Sequence, residues 1–300
     1  MKIPYYPGCT LKTKAKNFEI SSIAVAKSLG VEFVEIPRWN CCGAVPSLSS
    51  DDLIRHFAPI RNFIRVEEMN KAGIVDNEYR MVTLCAMCYN TLKMSNLRMR
   101  RNKEDLDKIN DVMYLETEHY KQDVEVVHFL EILKDIDADK LQKNIKNPLP
   151  DLKVSPYYGC TLLRPKEIGI DDPEDPKIME NLLTNLSVTL VNNPLKTRCC
   201  GSYQVVSDKD IITSLGYDIL NNAKRAGAEV IVTSCPLCQF NLDRRQKDII
   251  ELHHDFEPIP VLYFTQLMAF LFDLGEETYG FEQNYIDPKK VLNRKELVSN

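Results

Sequence analysis

Three kinds of feature are scarce or missing in these 300 residues, and each absence closes off a class of function. Positive charge is not in excess: 38 lysines and arginines face 43 acidic residues, for a net charge of −5. Nucleic-acid binding, which leaves a basic footprint, is not indicated. No long apolar run is present. The longest, residues 261–272, is interrupted by Thr265 and Gln266 and falls far short of the ~20 residues needed to cross a bilayer. It reads as a buried strand followed by a helix, without direct membrane insertion. The start, Met1-Lys2-Ile3-Pro4, leads into a tyrosine–proline stretch with no apolar core of a signal peptide, so a cytoplasmic location is expected. A nucleotide-binding glycine motif is also lacking, so no flavin or nucleotide is expected on this chain.

What the chain does have is ten cysteines. Disulfide frameworks belong to small secreted chains with insufficient cores, and 300 residues suffice for two cores of about 150 residues each. Metal or redox chemistry is the better reading. The cysteines also expose an internal duplication. Tyr6-Pro7-Gly8-Cys9-Thr10-Leu11 returns as Tyr158-Gly159-Cys160-Thr161-Leu162, and Cys41-Cys42-Gly43 returns as Cys199-Cys200-Gly201. Val82-Thr83-Leu84-Cys85-Ala86-Met87-Cys88 returns as Val232-Thr233-Ser234-Cys235-Pro236-Leu237-Cys238. Downstream, Val127-His128-Phe129-Leu130 matches Leu262-Tyr263-Phe264-Thr265. Every cysteine belongs to the repeat.

Between the motifs, helix and strand patterns alternate. Residues 18–29 predict a helix closed by Gly30, and 31–36 alternate apolar and polar as a half-buried strand does. Asp51-Asp52 opens a helix with Leu53, Ile54, Phe57, Ile60 and Ile64 on one face. Residues 79–84 predict the strand that delivers Cys85. In the second half, 187–191 predict a strand, 207–226 a helix stopped by Gly227, and 229–233 a strand leading to Cys235. The charged stretch 98–108 reads as a solvated helix face. The pattern predicts an α/β fold: two pseudo-symmetric lobes, each a small, mainly parallel sheet with flanking helices and a cysteine-ligated cluster. Asn147-Pro148-Leu149-Pro150-Asp151 marks the boundary, giving units 1–147 and 151–300.

Each set is a lone cysteine, an adjacent pair and a CysXXCys, all placed where strands end, so that they converge at one edge of a lobe. A CysXXCys at a helix start also favours thiolates. Structural zinc takes four ligands and leaves one cysteine of each set unexplained. An ordinary cubane cluster has the same shortfall. A dithiol redox pair at each CysXXCys leaves the CysCys pairs idle. Neighbouring cysteines diverge and suit different irons of one larger cluster. Gly43 and Gly201, and likewise Gly8 and Gly159, suit close approach of backbone to such a group or simply tight turns.

These motifs resemble the CCG domain, the cysteine-rich module found twice in the catalytic iron–sulfur subunit of heterodisulfide reductase. The resemblance covers essentially the whole chain, and the duplicated five-cysteine motif is highly specific. It implies two noncubane [4Fe-4S] clusters, one held by Cys9, Cys41, Cys42, Cys85 and Cys88, the other by Cys160, Cys199, Cys200, Cys235 and Cys238. The gap from Cys42 to Cys85, 43 positions against 35 in the second half, reads as a surface insertion around Asp76-Asn77-Glu78. Other families with this module usually carry a fused ferredoxin run of CysXXCysXXCys, which this sequence lacks.

By the same resemblance, the activity is reduction of a small-molecule disulfide such as that of coenzyme M and coenzyme B, one electron coming from each cluster. The implied partners are a small iron–sulfur subunit and a flavin-bearing subunit. Lys12, Lys14, Arg38, Arg164, Lys166, Lys196 and Arg198 flank the motifs and are candidates for holding an anionic substrate, about two of the seven being expected to touch it. Trp39 is a candidate shield for the first cluster or a core residue; His128 is a candidate proton donor or a structural histidine; His253-His254 reads as surface. The alternatives are a related complex acting on another disulfide or sulfur carrier, a non-catalytic electron relay to a dehydrogenase or quinone, and a structural zinc protein.

Overall fold

In a computed structural model, residues 1–44, 52–76, 78–205 and 207–293 are described. They form two sheets of four parallel strands with the same topology. In the first, β1 (Lys2–Tyr6), β2 (Glu32–Glu35), β3 (Arg80–Thr83) and β4 (Glu125–His128) lie in the order β2-β1-β3-β4. In the second, β5 (Lys153–Tyr157), β6 (Thr189–Leu190), β7 (Val230–Thr233) and β8 (Val261–Tyr263) lie in the order β6-β5-β7-β8. Parallel pairing requires crossovers, which the intervening helices provide. The expected pseudo-symmetric α/β lobes are present. In each, the chain leaves the first strand toward one edge and returns beyond it on the other side. Such a reversal opens a crevice beyond the carboxyl ends of the two central strands.

Most elements follow local pattern. The helix Lys16–Ser28 ends ahead of Gly30, whose φ is +73°. Asp208 caps Lys209–Arg225 by accepting from the Asp210 and Ile211 amides. Three departures have physical causes. Asp52 caps a 3₁₀ turn, Leu53–His56, ahead of the helix Phe57–Lys71, so the 3.6-residue period is broken and Ile54 is 65% exposed while Ile60 and Ile64 are buried. Asp51 and Asn77 lie outside the described residues. The charged stretch 98–108 is not one solvated face. Asn102 ends Ala86–Arg101 and caps Lys103–Val112, Arg98 bridges the break to Asp105 at 2.7 Å, and Met99, Leu106 and Ile109 are buried. The strand expected over 187–191 shrinks to the two residues of β6.

The lobes share one apolar core. Helix Lys16–Ser28 packs against Phe264–Leu271: Phe18 stacks on Tyr263 with centroids 4.1 Å apart, and the Ser21 and Thr265 hydroxyls lie 2.7 Å apart. Reciprocally, Phe129–Lys134 packs against Ile178–Asn185. Nearer the cysteines, the Tyr89 hydroxyl donates to the Ile168 carbonyl at 2.7 Å, and Asn90 Nδ2 donates to the Thr161 and Arg164 carbonyls. Among the described residues, no helix is long and apolar enough to cross a membrane.

Candidate metal centres

All ten cysteines lie at the carboxyl ends of the strands. Cys9 follows β1 in the turn Gly8–Leu11, Cys41 and Cys42 lie in the loop after β2, and Cys85 caps the helix Ala86–Arg101, with Cys88 in its first turn. Cys160 follows β5, Cys199 and Cys200 follow β6, and Cys235 caps the helix Pro236–Gln239, which contains Cys238. The sulfurs are drawn together within each lobe: Cys42 to Cys88 at 3.4 Å, Cys9 to Cys41 at 3.8 Å, and Cys200 to Cys238 at 3.4 Å. Cys85 and Cys235 lie close enough to shift each other's ionisation, so the two sets approach each other between the lobes. Cys9 and Cys41 are exposed, whereas both CysXXCys pairs are buried.

Five crowded thiols cannot all ionise. Hydrogen bonds from Cys41 and Cys88 pull Cys42 down to about 4, and those two donors are pushed up in return. In the second lobe, Cys160 donates to Cys199, which falls to about 6 while Cys160 rises. Cys238 likewise lowers Cys200 and Cys235 and is itself raised. The protons that remain are those a bound cation would displace.

The surroundings fit an iron–sulfur group. Thiolates are soft donors suited to iron–sulfur clusters, zinc or copper(I). Beside the CysXXCys motifs, the buried hydroxyls of Thr83, Thr233 and Ser234 have no hydrogen-bond partner among the described residues, an arrangement that suits further sulfur acceptors. Gly8 (φ +70°) and Gly159 (φ +69°) hold the backbone against the sulfurs: a Cβ on either would stand 2.9 Å from Cys88 Sγ or 3.0 Å from Cys238 Sγ. At Gly201 a Cβ would instead meet Leu215, and at Gly43 nothing among the described residues, so those two serve turns. Among the described residues, no three His, Cys, Asp or Glu side chains are gathered as around a single metal ion.

Two tyrosines were not singled out by sequence. Strand register pairs Tyr6 with Thr83 and Tyr157 with Thr233, so Tyr157, rather than Tyr158, is the counterpart of Tyr6. Each donates to the carbonyl just before its CysCys pair, Tyr6 to Asn40 at 2.8 Å and Tyr157 to Arg198 at 2.6 Å. Counting back two residues from Gly8 and Gly159 reveals both. Ser202 and Asn241, beside Cys200, were also missed, because each follows its motif on the side where the two halves differ.

Five of the seven flanking cations are tied to carboxylates: Lys12 to Glu19 and Glu35, Arg38 to Glu68, Arg164 to Glu174, Lys196 to Asp175 and Glu180, and Arg198 to Asp218. Lys166 is exposed. Lys14 lines a cleft of about 480 Å³ between the lobes, where Thr10 and Thr13 face Pro236, Leu237, Phe240 and Arg244. Another cleft, about 460 Å³, lies among Leu133, Leu141 and Leu182, away from every cysteine motif, whereas the first is lined by Thr10 beside Cys9 and by Pro236 and Leu237 between Cys235 and Cys238. His128 is fully buried; its Nδ1 accepts from the Leu130 amide, which leaves Nε2–H to donate to the Leu84 carbonyl at 2.8 Å. It is a structural histidine. Trp39 donates to Glu35 and meets the Tyr6 ring edge-on, packing partly against the core. His253 stacks on Tyr217, and His254 is exposed.

Duplicated parallel sheets with five thiols at each switch point define a class of cysteine-rich α/β proteins. The chain belongs to the CCG cysteine-rich domain family, which matches residues 3–93 and 154–243. It is 30% identical over 96% of its length to the 8-methylmenaquinol:fumarate reductase membrane anchor subunit of Wolinella succinogenes, covering 98% of that protein. It is 29% identical over 97% of its length to a ferredoxin/F420H2-dependent CoB-CoM heterodisulfide reductase subunit of Methanosarcina acetivorans, covering 96% of it. The fold is also similar, at a TM-score of 0.75 and 10% identity, to a hypothetical protein of Helicobacter pylori, covering 95% of this chain and 51% of that one.

Proposed function

We propose that this chain is the iron–sulfur subunit of a cytoplasmic heterodisulfide-reductase-like complex that reduces a small-molecule disulfide to two thiols. The units 1–147 and 151–300 each hold one noncubane [4Fe-4S] cluster on the five cysteines of that half. One observation carries the reading: Cys85 and Cys235 lie close enough to shift each other's ionisation, and the turn after Cys9 and the helix after Cys235 together line a cleft that reaches solvent. A disulfide seated there lies between the Cys9 turn of one lobe and the Cys235 helix of the other. Its reduction takes two electrons and two protons, S–S being replaced by two S–H bonds. Each cluster, when bound, supplies one of the electrons. The protein's own contribution is to hold the ligand sulfurs at the strand ends, both CysXXCys pairs being buried, and to offer Lys14 and Arg244 to anionic ends of the substrate. His128 supplies no proton, since both ring nitrogens are engaged. The electrons arrive from a small iron–sulfur subunit and a flavin-bearing subunit.

The test is iron, sulfide and zinc content of anaerobically purified protein, with visible and EPR spectra before and after addition of thiol. About eight irons and eight sulfides per chain, with an EPR signal altered by thiol, support the reading. Two zincs and a colourless solution sink it. The Wolinella relative, a subunit of an 8-methylmenaquinol:fumarate reductase, favours a second reading, a non-catalytic electron relay to a dehydrogenase or quinone. In that case a menaquinol analogue, and not a disulfide, exchanges electrons with the clusters.

A further inference from the structure

The duplicated sites are matched in their sulfurs but not in what surrounds them. The matched parts come first. Each lobe aims two backbone amides at its CysCys pair: Gly43 at Cys41 and Ala44 at Cys42 in the first, Gly201 and Ser202 both at Cys199 in the second. Each also has its clamping tyrosine. The Tyr6 hydroxyl reaches Cys42 as well, but its one proton is held by the Asn40 carbonyl at 2.8 Å. Thr83 is balanced by Thr233. Thr10, whose hydroxyl lies 3.8 Å from Cys9 Sγ, has Thr161 at the same place in the second sequence motif, without a hydrogen bond to Cys160 among the described residues, and at that length its contact is the weakest of the set.

Among the described residues two side-chain donors remain, and both belong to the second lobe. The Ser202 hydroxyl lies 2.8 Å from Cys200 Sγ. Once Cys200 is a thiolate ligand it has no proton, so Ser202 must be the donor. Asn241 is fully buried; its Nδ2 donates to the Cys200 carbonyl at 3.1 Å and lies 3.6 Å from Cys200 Sγ. The carbonyl acceptor fixes the orientation of that amide. Asn241 sits in a π-turn, Phe240–Arg244, whereas the corresponding segment of the first lobe runs on as the regular helix Ala86–Arg101. Counted from the cysteines, the first-lobe counterparts are Ala44 for Ser202 and Thr91 for Asn241. Ala44 has no side-chain donor by its chemistry, and Thr91 makes no hydrogen bond to Cys42 among the described residues.

Reduction adds negative charge to a cluster, and hydrogen bonds to its sulfurs stabilise that charge, which raises the reduction potential. We infer that Ser202 and Asn241 set the second site apart from the first: their hydrogen bonds to the Cys200 sulfur favour the reduced state of the cluster held there, so the two halves hold electrons at different potentials. The inference rests on the cluster reading of the proposed function. It gives the duplication a consequence, since an electron arriving at either site is held more tightly in the second half than that half would hold it with Ala44 and Thr91 chemistry.

The test is a potentiometric titration followed by EPR on the anaerobically purified full chain carrying its clusters. Ser202→Ala and Asn241→Thr are each expected to move one of the two potentials negative by about a tenfold change in the one-electron equilibrium, about 59 mV, and to leave the other in place. Ser202→Thr, which keeps the hydroxyl, is expected to restore the original value. The reciprocal Ala44→Ser is expected to raise the potential that Ser202→Ala does not touch. Clusters present at full iron and sulfide with potentials unmoved by Ser202→Ala and Asn241→Thr overturn this inference alone. So does an equal shift of both potentials. Absence of iron and sulfide from the unmodified chain overturns the proposed function along with it. If Ser202→Ala loses iron, Asn241→Thr and Ala44→Ser decide the matter.

Discussion

Replacing Gly8 by alanine tests whether the backbone is packed against a ligand sulfur. At φ +70° a side chain costs about 1–2 kcal/mol whatever surrounds it. At Gly8 the new Cβ also stands 2.9 Å from Cys88 Sγ and 3.3 Å from the Tyr6 ring. Neither neighbour has room to step back. Tyr6 is fully buried and held by the Asn40 carbonyl, and Cys88 is buried. Overpacking of this kind costs about 1–3 kcal/mol. Gly8→Ala should therefore lose about 2–5 kcal/mol in all. Gly227→Ala is the control: its φ is +93°, and no described atom lies within 4 Å of the added Cβ, so only the backbone cost of about 1–2 kcal/mol applies. Gly159→Ala should fall between them, because its Cβ would clear Cys238 Sγ by 3.0 Å and the Tyr157 ring by 3.6 Å. Anaerobic urea unfolding of the three variants, with iron content measured on the same samples, gives the answer. Gly8→Ala should lose iron from one of the two sites, and Gly227→Ala should keep both. If Gly8→Ala unfolds where Gly227→Ala does and retains all its iron, the sulfur is not held against the turn.

The two tyrosine clamps should respond unequally to loss of their hydroxyls. In Tyr6→Phe the Asn40 carbonyl keeps its bond from Asn62 at 2.9 Å, so the loss should be about 0.5–1.5 kcal/mol; in Tyr157→Phe the Arg198 carbonyl loses its partner, and about 1–3 kcal/mol is expected. Equal losses in urea unfolding would refute the distinction. Burial pushes His128 down to about 4, against 6.5 unfolded, so between those values the unfolded chain binds the extra proton. His128 thus contributes its full stability above pH 6.5 and loses it as the pH falls toward 4. Between pH 6.5 and 5 the unmodified chain should lose about 1.5 kcal/mol more than His128→Gln, and identical losses would sink the assignment.

Much of this architecture was legible because its signals are local. The apolar run over residues 261–272 became β8 and the helix Phe264–Leu271, and the Gly30 and Gly227 stops closed their helices. The failures also had local causes. Asp52 caps a 3₁₀ turn rather than the first turn of an α-helix, and Asn102 caps a second helix inside a run of charges that read as one face. Neither event changes composition or period enough to register. The flanking cations misled for a different reason: Lys12, Lys196 and Arg198 find carboxylates 16 to 23 positions away, and sequence proximity to a motif carries no information about such partners.

By itself, the sequence determined the duplication, the ten sulfurs and the alternation of strand and helix that puts each motif at a strand end. Chain order alone suffices for these, because a CysXXCys after a β-branched strand must fall at the sheet's carboxyl edge. Only the tertiary structure decided what the two sites make of the same ligands. Packing of Lys16–Ser28 against Phe264–Leu271 joins the lobes with Cys85 near Cys235, and folding sets the Tyr6 and Tyr157 hydroxyls on the Asn40 and Arg198 carbonyls. A π-turn then turns Asn241 onto Cys200. Those contacts depend on where separate segments lie in space, and hydrogen bonding to sulfur falls off within an ångström.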